Sequence, residues 1–313
     1  DVYKRQEESP VIFSPNKLDQ EVWNFSMSNN DDLLEKIQHE KKYLIDLCDG
    51  IYQGIATGKD NVFLVDGNII FGHDIERGIL RPFLKGKNIR PYTIEWGGLY
   101  LIYPYDENGN VISEQFFKSH YPNAYQYMLD NKDNLKGRSY FDKSSKAWYE
   151  LWNQRKPTRF EGEKIVTLDN ASCNSFALDV NGFFGTTTVY SLKIISDDGL
   201  NNKYVLGVLN SKLLNYYHRN MSVPQAGGFF RYQALFIKNL PIASANETIV
   251  NRISKCVTEI LLGKKQNADT TSLENQIDFL VYHLYGLTYY EVLKVDPETP
   301  ISREEYEAYN IEQ

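Results

Sequence analysis

Cysteine is scarce in this chain of 313 residues: Cys48, Cys173 and Cys256 are odd in number and far apart. That argues against a disulfide framework and a thiolate zinc site, and reduced, buried thiols are expected. Histidine is equally thin, and His39, His73, His120, His218 and His283 show no metal-ligand spacing, so each reads as structural or merely exposed. No apolar run approaches the ~20 residues that a membrane helix needs. No secretory signal is visible either, so a cytoplasmic location with no membrane partner is expected. An excess of positive charge is also lacking. The net charge of −7 counts against a nucleic-acid binder, although phosphate binding depends on the local field rather than the total.

What is present points to a folded chain. Apolar residues make up 42% and aromatic residues 14%, with 23 tyrosines. Tyrosine joins a flat apolar face to a polar tip, which suits interfaces and stacking as well as half-buried core positions. The charge is unevenly spread. Residues 132–164 hold nine Lys/Arg against five Asp/Glu, whereas residues 289–313 hold two against seven.

The pattern along the chain predicts a mixed α/β (α+β) fold with largely antiparallel, twisted sheets. Three parts are expected: residues 1–48, an irregular start and a connector helix; 49–243, a recognition domain; and 244–313, a helical pair with an acidic tail. The first six residues, DVYKRQ, lack a starting Met and read unlike the rest, and the natural protein is expected to extend upstream. The connector helix is expected to carry Leu33, Leu34, Ile37, Leu44, Ile45 and Cys48. Asp66-Gly67-Asn68 between Val62–Val65 and Ile69–Phe71 predicts a hairpin. Strands are expected at Ile51–Ala56, Leu99–Tyr105, Lys164–Leu168, Thr187–Ile195 and Leu235–Ile242, and a helix at Tyr204–Tyr217. Ser244 and Glu247 form a capping-box pattern ahead of the helical pair, whose second member stops at Gly286.

Catalytic patterns are weak. GIATGKD at Gly54–Asp60 resembles a phosphate loop, but it is one residue short between the glycines, and Asp60 stands where a magnesium-binding hydroxyl belongs. Glu161, Glu163 and Lys164 contain the acid-x-Lys element of metal-dependent nucleases without the upstream carboxylate that such a site needs. Neither a Gly-x-Ser-x-Gly elbow nor a supported Cys/His pair occurs. No catalytic residue and no metal ligand is therefore assigned. What does recur is basic, amide and aromatic side chains on loops: Thr57–Asn61, Arg81–Trp96, Arg155–Arg159 and Gln225–Arg231. Such loops suit phosphates and base edges. Lys85, Lys87, Arg90, Lys156 and Arg159 are expected mainly at phosphates, and Lys59 is expected among the DNA-binding residues. Thr57, Asn61, Asn170, Asn174, Gln225 and Arg231 are candidates for base edges.

Eight stretches in order carry a resemblance: GIATGKDNVF (Gly54–Phe63), LKGKNIRPY (Leu84–Tyr92), LYLIYPY (Leu99–Tyr105), LKGRSYFDKSSKAWYELWNQRKP (Leu135–Pro157), KIVTLDNASCNSFALDVNGFF (Lys164–Phe184), YVLGVLNSKLLNYYHRN (Tyr204–Asn220), FIKNLPI (Phe236–Ile242) and IDFLVYHLYGLT (Ile277–Thr288). Together they resemble the TaqI-like C-terminal specificity domain of type II restriction-modification enzymes and adenine-specific DNA methyltransferases. Asn88 departs from the Asp that this family more often has there. The resemblance implies double-stranded DNA as the partner, read by a chain that does no chemistry itself. It also implies a separate N-terminal methyltransferase domain that binds S-adenosylmethionine and holds a flipped adenine with an Asn/Asp-Pro-Pro-aromatic motif. That motif does not occur in these 313 residues, and no cofactor is expected on this chain. The rival readings are a protein-interaction module of a phage-defence complex and, more remotely, a metal-dependent nuclease at Glu161–Lys164.

Overall fold

Val, Ile and Leu crowd Lys164–Leu168 and Val189–Ile194, and these become the inner strands of a four-stranded antiparallel sheet. The structure, a computed structural model, describes residues 31–39, 41–138, 141, 143–195 and 199–310. The outer strands of this central sheet are Phe176–Asp179 and Cys48–Gln53, the latter aligned so that Tyr52 faces Ser191. Alternation along the strands sends side chains to opposite faces. Ile165, Phe176 and Leu192 join a helical core, whereas Val166, Ala177 and Val189 meet Leu84, Ile89 and Phe183 on the other side.

The helical layer starts with Asn202–Asn210, whose residues Tyr204 to Leu209 are all buried. It lies between the sheet and the antiparallel pair Glu247–Lys265 and Thr271–Leu284. Gly207 allows the close approach, because a methyl group there would meet Ile253 and Val257. Leu33, Leu34 and Ile37 of helix Asp31–Gln38 enter the same core.

A second four-stranded sheet runs in the order Phe184–Gly185, Leu80–Leu84, Tyr100–Ile102, Leu64–Val65, with only its first pair parallel. It has a core of its own, built on Phe63, Phe83, Tyr103, Phe117 and Met128. The segment between Phe176 and Gly185 crosses from one sheet to the other. Its turn is fixed by Asp179, whose buried carboxylate pairs with the buried Lys164 ammonium and accepts from the backbone N–H groups of Asn181 and Phe183.

Several expected elements differ in detail. The connector helix stops at Gln38, and residues Leu44 to Cys48 form a 3-10 turn and the start of a strand. The predicted hairpin around Gly67 is a helix instead: the Asp66 carboxylate accepts from the N–H groups of Asn68 and Ile69 and starts a turn over Gly67–Gly72. An Asp-Gly pair suits a helix start as well as a hairpin turn, and here the cap wins. The helix expected at Tyr204–Tyr217 breaks at Ser211, which caps a second helix, Lys212–Met221. Leu235–Ile242 is a short helix followed by a two-residue strand rather than one strand. Asn246, rather than Ser244, caps Glu247–Lys265 through the N–H of Ile249.

Candidate nucleic-acid interface

The loops singled out in the sequence are stitched together by backbone hydrogen bonds. Ala56 exchanges two bonds with Asn153, and the N–H of Trp152 donates to the Thr57 carbonyl, so the Gly54–Asp60 turn lies against residues 152–155. Asp60 reaches Lys85 at 3.7 Å. Next to Lys85, the N–H of Gly86 donates to Thr188 Oγ1, and the N–H of Thr186 donates to the Leu84 carbonyl. Thr188 in turn accepts from the N–H of Asp169. Finally Asn170–Ala171 pairs with Phe229–Arg231, the inner strand of a ribbon whose outer strand is Pro224–Gln225. A continuous strip results. It runs from Arg155 through the Lys59 turn, Lys85 and Thr186–Thr188 to Asn170 and Arg231.

At one end the strip is densely cationic. Arg159 stacks its guanidinium on Tyr52, 4.5 Å from the ring centroid. Arg155 donates to the Gln53 carbonyl, and burial first, then the charge of Arg159, push its pKa down, a sign that two guanidinium groups share one patch. Lys193 joins them by donating to the Thr158 carbonyl at 2.7 Å, and Lys156 is exposed beside the Gly109 turn. Asn61 is exposed and Lys59 half-buried on the neighbouring turn.

Two of the expected base-edge residues have buried side chains. Thr57 is 2% exposed; its hydroxyl donates to the Asp60 carboxylate and accepts from the Lys59 N–H, so it shapes the turn and offers nothing outward. Asn174 is 3% exposed, with its amide donating to the Leu209 carbonyl and accepting from the Tyr232 hydroxyl. It braces the ribbon from behind. The remaining residues keep outward access to different degrees. Asn170, Gln225 and Arg231 are half-buried, and Gln225 donates to the carbonyl of Pro224. Lys87 is exposed. Arg90 folds back onto the Lys87 carbonyl and lies 3.6 Å from Glu95, beside a turn whose Tyr92 is buried towards the helical pair, so it is set apart from the strip.

Asn88 holds the Lys85 turn together: its amide oxygen accepts from the Lys85 N–H, and its NH2 donates to the Glu95 carbonyl. An aspartate could make only the first bond. The strip also takes in Gln53, the Thr186–Thr188 turn and Lys193, which the sequence reading did not single out. The one available signal was polar residues interrupting a β-branched strand. The acid-x-Lys element is also resolved: Lys164 is buried against Asp179, while Glu163 lies outside and accepts from Asn202.

Comparison with known proteins places the chain in a family. Residues 81–242 match the TaqI-like C-terminal specificity domain, and the chain belongs to that family. Among curated proteins, it is 27% identical over 235 residues to the type II methyltransferase M.MjaIV of Methanocaldococcus jannaschii, covering 73% of this chain and 76% of that one. It is 21% identical over 221 residues to M.BstVI of Geobacillus stearothermophilus, covering 71% of this chain but 38% of the relative. Among solved structures, the type IIL restriction-modification enzyme MmeI in complex with DNA matches with a TM-score of 0.57 at 12% identity, over 79% of this chain and 34% of that one. This last likeness concerns the fold.

Proposed function

We propose that the chain is the DNA-specificity module of a restriction-modification methyltransferase acting on adenine, and that it binds and selects duplex DNA without performing the chemistry. The observation that carries this reading is the strip. Cations and amides from five loops far apart in sequence are held side by side on one hydrogen-bonded backbone, as a surface that must match a regular duplex requires. Membership of the specificity-domain family and the DNA complex of the fold relative support it. In this reading residues 49–243 read the DNA, and the segments on either side buttress them. A methyltransferase domain of the same protein binds S-adenosylmethionine and extrudes the base. Lys59, Lys85, Lys87, Arg155, Lys156 and Arg159 contact phosphates, with Lys193 added from the structure. Asn61, Asn170, Gln225 and Arg231 face base edges.

The test is duplex binding by fluorescence anisotropy across a salt series. Lys156→Ala and Arg159→Ala should each weaken binding to all sequences alike and flatten the log K against log[salt] slope by about one unit. Unchanged affinity and slope in the double variant would remove the cationic end of the strip from the interface.

A further inference from the structure

We propose that Arg231 and Asp169 together read a single G·C base pair in the major groove, the guanidinium on guanine and the carboxylate on cytosine. This rests on the DNA-recognition reading above and makes it specific. The backbone at Arg231 is fixed from several sides. Its carbonyl accepts from His218 Nε2 at 2.9 Å and from Ser222 Oγ at 2.8 Å, and its strand pairs with Asn170. The next residue, Tyr232, is fully buried. Its N–H donates to the Asp169 carbonyl and its hydroxyl to Asn174 Oδ1, each at 2.8 Å. Burial holds the His218 pKa down at about 4, so a neutral imidazole sits behind the strand.

The Arg231 side chain is left without use for all this support. Arg81, Arg90, Arg138 and Arg155 all donate to backbone carbonyls. Arg231, half-buried, makes no side-chain hydrogen bond or ion pair with any described residue. Asp169 is half-buried beside it. Burial raises its pKa, while the Asn170 amide and the Arg231 charge oppose that rise, yet the two charged groups do not close into an ion pair. An arginine fork that only donates thus lies within electrostatic reach of a carboxylate that only accepts, one position along the paired strand. The major-groove edge of a G·C pair presents the complement: guanine N7 and O6 accept, and cytosine N4 donates. An A·T pair sets the adenine N6 donor between two acceptors, adenine N7 and thymine O4, so it offers the fork no two neighbouring acceptors.

The experiment selects duplexes from a randomised pool with the full chain and sequences the survivors, beside affinity and salt-slope measurements on the best duplex. The wild-type chain should fix one G·C pair. Arg231→Ala should lower affinity for that duplex by about 5- to 150-fold, relax the one position and keep the salt slope. Asp169→Asn should relax the same pair. Arg231→Gln should move the preference towards adenine, and Arg231→Lys, which keeps the charge but loses the fork, should behave like Arg231→Ala. The proposal falls if Arg231→Ala weakens every duplex equally with a slope about one unit flatter, which marks a phosphate contact, or if Lys restores full selectivity, which shows that the guanidinium fork is not what reads the pair. It falls too if the two residues govern different positions. A wild-type chain that binds no duplex, or enriches no sequence, would take the DNA-recognition reading down with it.

Discussion

Asn170 and Asn174 sit four positions apart in one turn and meet opposite fates. The first lies on the outer face of the strip, while the second is sealed behind it between Leu209 and Tyr232. Residue type alone marks both as amides that can read a base; only the path of the turn decides which one faces out. Lys164 gives the same lesson with charge. In sequence it completes an acid-x-Lys element, yet in the fold its ammonium is sealed against Asp179 and the Phe160 carbonyl. Removing it would strand a buried carboxylate, so Lys164→Met should cost about 3–5 kcal/mol of stability by denaturant unfolding. Exposed Glu163, replaced by Ala, should leave the unfolding midpoint nearly where it was. A Lys164→Met variant as stable as the parent would show that the pair is not closed in solution.

At the scale of elements, the central strands and the helical pair were legible because their apolar residues recur with one clear period. Lys164–Leu168 and Thr187–Ile195 are rich in β-branched residues, and Ile249, Ile253, Val257 and Ile260 mark one helix face. The hairpin predicted around Gly67 failed because Asp-Gly serves two structures and the choice is made by tertiary packing. The break at Ser211 was hidden because apolar spacing continues through it. Contacts between distant loops leave no periodic trace, so the strip could be suspected from its composition but not assembled. Gly54 shows how tight that assembly is: a methyl group there would run into the carbonyl oxygens of Gly185 and Thr186. Gly54→Ala should therefore destabilise by about 1–3 kcal/mol or more through forced backbone shifts. It should also weaken duplex binding beyond what the stability loss accounts for, measured where the variant is still folded.

For the molecule as a whole, three groups set opposing responses to pH. Burial holds His218 and His283 down at about 4. Between about pH 4 and 6.5 the unfolded chain therefore binds protons that the folded chain does not, and stability rises with pH. Burial lifts the Asp278 carboxyl to about 7, against the lowering effect of the Lys212 N–H that it accepts from at 2.8 Å. From about pH 4 to 7 the folded chain keeps a proton that the unfolded chain has released, so this group makes stability fall with pH. Asp278→Asn keeps an acceptor for Lys212 and removes the falling component. Its unfolding midpoint should climb more steeply than the parent's between pH 4 and 6.5, and should lie above the parent's at pH 8. Parallel curves would show that Asp278 is ionised in the fold.

The strip also has a kinetic side. Gln53 donates to the Thr187 carbonyl across 134 positions of sequence, and Arg155 to Gln53 across 102. Contacts that close such long loops carry a large entropy cost and form slowly. A nascent or half-folded chain possesses the lysines and arginines but not their spacing, and so can cling to a polyanion without telling one sequence from another. On the proposed reading, selectivity requires these long loops to be closed, which makes discrimination between duplexes, rather than affinity for them, the stricter measure that folding is complete.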